Sequence, residues 1–553
     1  MCITIKYNTD YYLCAFKKKA KQIMIRYFIF IFISFLIAGS INIKAAQKRI
    51  PSVQPKLVVF IMLDELSSEQ LFILRDKLSD KGFNRLISGG AYFKNAIYPS
   101  GSNYPGTSVA TFFTGAYPST HGIISDEWFE QFNENEVKAL QRNKNSLLSS
   151  NKLFCSGIYD ELKRVYSDAA KTAAIGFSPD KLIWAMGKDA RNTYWIDTKT
   201  GNFVAARNTS KYPLPAWVNE FNEKKILDVY TEREWGPLND ITEYHKYKYF
   251  PEQLKGVNPF MFELKKQKGT KPYSVVADSP YGNKLLRDFA QSMVINENFG
   301  QDDVPDFLTI NFKTNSALCS GHDHFDPVCE DFILRLDSEI ADLLKSLDNK
   351  IGLENVLIVT SGITSPDKTV SELTKYDHGV FNGKKAAALL NLYLMAIHGQ
   401  GKWVKAYHDG QFYLNHDLLE KSKLPLNEIQ KEAAGFLEQI SGIAYALPAT
   451  DVIAASMNLP AMSSLKLIYN PKRSGDLLIA LAPGWREELP NGKLVSKKWI
   501  DERVPLIFYG WKITRQVHND PVQMINVAPT ISSFLHIGYP NGCEGDVIPG
   551  MIR

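Results

Sequence analysis

Six short apolar runs recur along the chain with helix-like stretches between them: Lys56–Leu63, Thr172–Phe177, Asp306–Phe312, Asn355–Thr360, Leu477–Leu481 and Val504–Tyr509. Most are rich in β-branched residues and lack the polar alternation of a half-exposed strand. Each therefore reads as a strand buried on both faces. The clearest helix runs from Asp331 to Asn349. There Phe332, Leu334, Leu336, Ile340, Leu343, Leu344 and Leu347 form one stripe, with Asp and Glu facing away. Buried strands alternating with such helices predict an α/β fold, a doubly wound and mostly parallel sheet flanked by helices.

The 553 residues suffice for one large domain with insertions. Residues 1–46 read as a signal peptide or N-terminal anchor. Lys17, Lys18, Lys19, Lys21 and Arg26 precede an apolar stretch from Tyr27 to Ile41, and Ile43-Lys44-Ala45-Ala46-Gln47 offers a small-residue cleavage site. Met24 is an alternative start. The apolar stretch falls short of the roughly 20 residues of a spanning helix, so a cleaved signal is favoured. No Cys follows it at a lipoprotein position. The predicted location is periplasmic or secreted, or membrane-anchored if the segment stays, with no other integral membrane domain. Residues 47–553 form the α/β domain. Within it, 135–275 reads as a cap inserted over the sheet's carboxyl edge, with a hairpin of Tyr194–Asp197 and Asn202–Val204. Residues 380–475 read as a second mixed α/β insertion, with strands in Trp403–Leu414 and a helix near Asn427–Ile440.

The formal charge of +5 comes from the leader. Removing residues 1–46 takes basic against acidic residues from 64 and 59 to 57 and 58. A near-neutral body gives no electrostatic case for nucleic-acid binding. Cleavage leaves Cys155, Cys319, Cys329 and Cys543, which fit no zinc motif. Export permits disulfides, and Cys319 with Cys329 is the nearest pair; buried free thiols fit equally well. The chain lacks a Gly-x-Ser-x-Gly elbow and a Walker loop.

The first strand closes on Asp64, and ligand sites in such sheets lie at the carboxyl ends of strands. Beyond it come Phe113-Thr114-Gly115-Ala116-Tyr117-Pro118-Ser119-Thr120-His121-Gly122-Ile123, then Trp195-Ile196-Asp197 with Thr200-Gly201, and Leu214–Asn219. Later stretches are Leu334-Arg335-Leu336-Asp337, Tyr469-Asn470-Pro471-Lys472-Arg473-Ser474-Gly475-Asp476, and Val527-Ala528-Pro529-Thr530. In their order over about residues 55 to 540, these resemble the alkaline phosphatase superfamily. Within it they resemble the type I phosphodiesterase and nucleotide pyrophosphatase branch, and most of all the exported phosphate-irrepressible alkaline phosphatases of Gram-negative bacteria.

The resemblance implies a two-zinc hydrolase with a Thr or Ser nucleophile. Two metal ions about 3.5–4 Å apart clamp an in-line displacement, and roughly six His and Asp ligands hold them. Carried over position by position, the pattern keeps one ligand, Asp64. Pro105 stands at the nucleophile position, with Ser102 and Thr107 nearby; Thr107 reads as a helix cap. Ile363 and Thr364 replace an Asp-His pair, Ser316 and Ser320 replace an Asp and a His, and Leu494 replaces the last His. Of the phosphate-contacting groups, Lys181 lies near one, out of register, and Asp126 replaces an Asn where its charge would repel an anion. His121 belongs to a turn the resemblance treats as structural. His322, Asp323 and His324 form a metal-like string near the second-metal loop. Asp377 and His378 repeat the family's Asp-His-Gly string, some thirteen residues downstream of its place.

The sequence thus predicts a degenerate family member with no cofactor. It would act by binding a cell-envelope protein or a phosphorylated or glycan ligand, with its fold outlasting its site. The alternative is an active phosphate- or sulfate-ester hydrolase with a rearranged zinc site. That site would use Asp64, Ser102 or Thr107, and His322, Asp323 or His324, with Asp377 and His378.

Overall fold

The computed structural model describes residues 52–552 except 99–103, 143–147, 207–212, 250–259, 261, 266–271, 315–325, 364–378, 455–464, 490–491, 493 and 496–501. In chain order, the strands that position the site begin with β1 (Leu57–Leu63), β2 (Ala91–Tyr98) and the hairpin β3 (Glu127–Glu130) and β4 (Asn135–Lys138). Next come β5 (Thr172–Gly176), β6 (Thr193–Asp197), β7 (Asn202–Ala205), β8 (Asp306–Phe312) and β9 (Val356–Gly362). The last are β10 (Val404–His408), β11 (Gln411–Leu414), β12 (Ile443–Pro448), β13 (Leu477–Leu481), β14 (Glu502–Gly510), β15 (Gln516–His518) and β16 (Val522–Gln523). The helices used below are α1 (Pro105–Thr114), α2 (Pro118–His121), α3 (Pro179–Ala185), α4 (Pro327–Lys350) and α5 (Leu426–Leu437).

The central sheet has the order β15-β2-β14-β9-β1-β8-β5-β6-β7, with β16 also pairing β2. Its middle is parallel: β1 pairs β8 and β9, β8 pairs β5, and β5 pairs β6. Every residue of β1 is buried. Leu57, Val59, Ile61 and Leu63 enter one core layer, which includes the Leu336, Ile340, Leu343 and Leu347 stripe of α4. Val58, Phe60 and Met62 enter the other, against α1. Phe60 meets Phe112 and Phe113 edge-on at 5.2 and 4.9 Å. Burial of this kind contributes about 1.5–3 kcal/mol per large apolar side chain, which explains why β1 has no polar face.

Helix α4 begins earlier than its apolar stripe does. Asp326 caps it by accepting from the Val328 and Cys329 amides at 2.8 and 3.2 Å, and Pro327 occupies the first helical position.

Three expectations change. The hairpin β6–β7 extends the central sheet through β5, so the span 135–275 is not one inserted body. The strand at Val504–Tyr509 joins the central sheet antiparallel to β9 and β2. The strand at Leu477–Leu481 leaves that sheet and builds a second lobe, in the antiparallel order β10-β11-β13-β12. A five-residue apolar run says that a strand is buried. It carries no information on which sheet it joins or in which direction. The second lobe has its own core around Trp403, Phe412, Leu437 and Ile479, and α5 packs into it.

Among the described residues, no helix is long and apolar enough to cross a membrane. Cys155 and Cys543 are free thiols, and Cys319 lies outside the described residues.

Candidate functional site

Asp64 stands where β1 ends. Its amide donates to the Phe312 carbonyl at 3.1 Å, extending the ladder with β8 by one residue. Glu65 then turns the chain with φ of 55°, a left-handed conformation uncommon outside glycine. Ser67 caps the next short helix reciprocally with Gln70. Past the turn, the Asp64 side chain stays partly exposed, at 18%.

Both of its oxygens are engaged. Lys181 Nζ lies 2.6 Å from Oδ2, and Asn311 Nδ2 donates to Oδ1 at 2.8 Å. Lys181 comes from α3, whose N-cap Ser178 fixes its start. Asn311 comes from β8, where it is 3% exposed in an otherwise apolar strand end. The two side chains of the ion pair are 21% and 18% exposed, so water screens it only in part. Lys181, placed near a phosphate contact by sequence, is thus committed to the surviving carboxylate. Asn311 escaped the sequence reading. Its signal was available: a buried polar side chain inside a strand requires a partner.

The other carried-over positions that are described offer no metal ligand. Ile363 follows β9, is 2% exposed and packs into the core with Val359 and Val504. Pro105 is the first residue of α1, where a missing amide costs nothing. Tyr104 is the N-cap, which corrects the expectation that Thr107 caps this helix. Thr107 is buried in the first turn, and its hydroxyl has no hydrogen-bond partner among the described residues. Leu494 sits half-buried in a two-residue strand paired with Arg486–Glu488. Ser102, Ser316, Ser320, His322, Asp323, His324, Thr364, Asp377 and His378 lie outside the described residues. Among the described residues, no group of three or more His, Cys, Asp or Glu is placed to hold a metal ion. The described donors alone fall short of the roughly six ligands of a two-zinc centre.

Acidic groups crowd the same edge. Loss of hydration, then the charges of Asp180, Asp409 and Glu127, push the Asp126 carboxyl up to about 6, against the pull of Lys181. The residue's outer surface stays exposed, so water limits that shift. The Tyr104 phenol is pushed well above its usual range by burial and by its hydrogen bond and proximity to Asp409. Asp409 lies in the turn between β10 and β11 with φ of 53°. The second lobe therefore reaches the sheet edge with the negative charge of Asp409.

The family-like turns are structural. His121 is fully buried between α2 and α1. Its Nδ1 accepts from the Ile123 amide at 3.0 Å, and its Nε2 donates to Thr111 Oγ1 at 3.0 Å. Burial, aided by Arg473, lowers its pKa to about 3 and keeps it neutral. Gly115 and Gly122 end the two helices at φ of 65° and 80°. A Cβ at Gly122 would meet Arg473 Nη1 at 2.7 Å.

The segment 469–476 ties the lobes together. Arg473 is bonded to the Gly122 and Lys152 carbonyls, and Asn470 Nδ2 donates to the Ser119 carbonyl at 2.7 Å. Asp476 accepts four bonds, from Gln131 Nε2 (2.8 Å), the Leu414 amide (2.8 Å), His416 Nε2 (2.7 Å) and Gln430 Nε2 (3.1 Å).

Residues 58–498 match the family model described as type I phosphodiesterase / nucleotide pyrophosphatase. A Myroides odoratus protein named calcium-transporting ATPase is 30% identical over 90% of this chain and 95% of its own. Alkaline phosphatase PafA of Elizabethkingia meningoseptica is 28% identical over 92% of this chain and 96% of its own. The crystal structure of wild-type alkaline phosphatase PafA superposes with a TM-score of 0.76 at 26% identity, covering 90% of this chain and 98% of that one.

Proposed function

The chain belongs to the type I phosphodiesterase / nucleotide pyrophosphatase family, within the alkaline phosphatase superfamily, and from that premise we propose that it is an exported member that has given up dinuclear zinc hydrolysis and acts by binding. One observation carries this reading: the Asp64 carboxylate holds the Lys181 ammonium at 2.6 Å. A zinc ligand must present its lone pairs to the ion. Here a tethered cation takes that place, and a metal would have to expel it before binding. Pro105 supplies no hydroxyl, and the buried Ile363 supplies no donor atom. The acidic residues Asp126 and Asp180 disfavour an anionic ester. Packing and site chemistry use different residues, so the fold persists without the reaction. The partner is a cell-envelope protein or a phosphorylated or glycan ligand.

The competing reading is a rearranged zinc site that recruits His322, Asp323, His324, Asp377 and His378. These residues lie in the segments that follow β8 and β9, the two strands flanking β1. Metal analysis of the purified exported protein, with turnover of an aryl phosphate in added zinc, decides between them. The expected outcome is less than about 0.1 zinc per chain, no turnover and a melting temperature unmoved by chelator. About two zinc per chain, with turnover abolished by Asp64→Ala, would establish the hydrolase instead.

A further inference from the structure

A cavity of about 720 Å³ opens between the tip of the β3–β4 hairpin, the turn at 151–154 and the second lobe. It shares no lining residue with the Asp64 cluster, so a ligand held there is independent of the loss of zinc chemistry. Its size suits a small organic ligand.

The walls carry both hydrogen-bonding senses. Glu130 and Asp417 offer carboxylate acceptors, while Gln131 and Asn151 offer planar amides. The charge is unbalanced. Lys152 is neutralised by Glu130 at 2.9 Å, and Lys405 by Glu134 and Asp417 at 2.6 and 3.0 Å. Lys472 has no carboxylate within 4.0 Å among the described residues, whereas Arg473 is buried and already bonded to the Gly122 and Lys152 carbonyls. The Arg473 guanidinium stacks 3.8 Å above the Phe154 ring, and Lys472 Nζ lies 5.8 Å from that ring's centroid. Phe154 still leaves 47% of its surface open, and Phe132 at the hairpin tip is 98% exposed.

We propose that this cavity binds an anionic sugar, a ring bearing several hydroxyls and one carboxylate or sulfate. Hydroxyls donate and accept, which matches a wall of carboxylates and amides. A bare phosphate or sulfate would answer the Lys472 charge but would leave the amide groups and the aromatic surfaces unused. A neutral sugar would leave the Lys472 charge unanswered. The apolar face of a sugar ring fits the open surfaces of Phe154 and Phe132.

The test is calorimetric titration of the exported protein with glucuronic acid, glucose 6-sulfate and glucose. At least one anionic sugar should bind saturably, with glucose at least about tenfold weaker. Lys472→Met and Phe132→Ala should each weaken the anionic sugar by about threefold or more. Phe132 is so exposed that its removal cannot disturb the fold. Asp64→Asn should leave the affinity unchanged, which separates this site from the sheet edge. A glucuronic acid-containing disaccharide that binds more tightly than the monosaccharide would place the sugar within a chain; equal affinity would place it free. Failure of both anionic sugars to saturate below about 10 mM overturns the proposal. So does equal binding of glucose, or an affinity indifferent to both pocket variants.

Discussion

Two carboxylates in this protein gather donors around them, and they do so differently. Asp476 in the second lobe accepts four hydrogen bonds from the β3–β4 turn, the end of β11, His416 and α5. A carboxylate has about four lone-pair positions, so Asp476 is saturated. Asp64 at the sheet edge accepts from Lys181 and Asn311 among the described residues, and it stays partly open to water. Saturation by amides, an imidazole and a backbone N–H makes a structural knot joining segments far apart in sequence. A carboxylate paired with one lysine ammonium and one amide makes a local ion pair at the sheet edge. The difference is between a carboxylate saturated by the fold and one that the fold leaves partly open.

That contrast can be broken most directly at the knot. Asp476→Ala should destabilise the protein by roughly 3–5 kcal/mol, because it strands the buried Gln430 amide and the Leu414 N–H. Urea unfolding reads this as a lower midpoint at unchanged slope. A loss below about 1 kcal/mol would mean that the four bonds are dispensable.

At the sheet edge the effects should be smaller. Lys181→Met should cost about 1–2 kcal/mol, and a double-mutant cycle with Asp64→Asn should give a coupling near 1 kcal/mol. Zero coupling would show that the pair is incidental and would remove the main support for a tethered cation.

The smallest effect concerns Asp126. Its folded pKa, about 6, lies above the ordinary carboxylate value. Its contribution is therefore whole below that ordinary value and is lost as pH rises through about 6. Asp126→Asn should thus raise stability at pH 8 and lose that advantage by about pH 4. Denaturation midpoints at the two values check the sign, and an equal gain at both would place the cause elsewhere than in charge.

The legibility of the chain followed burial. Strands β1, β5, β8 and β9 stood out because a strand covered on both faces must be apolar throughout, and the stripe on α4 stood out because one face meets the sheet. The family-like turns at 113–123 and 469–476 were visible as strings, though not as partners. No local pattern announces that Arg473 bonds to the carbonyls of Gly122 and Lys152. Asn311, and the partners of Asp476, were missed for a related reason. A lone polar residue in an apolar context signals that a partner exists without saying where in the chain it lies.

By itself the sequence determined the α/β class and the place of Asp64 at a strand's carboxyl end, and it put Pro105, Ile363 and Leu494 where the resemblance implies a nucleophile and two ligands. These follow from residue type and order, which folding does not change. Only the tertiary structure decided that Lys181 closes on Asp64, that Leu477–Leu481 serves a second lobe, and that Asp476 knots that lobe to the β3–β4 turn. Each depends on segments distant in sequence meeting within hydrogen-bonding range, and such meetings are set by the packing of the whole chain.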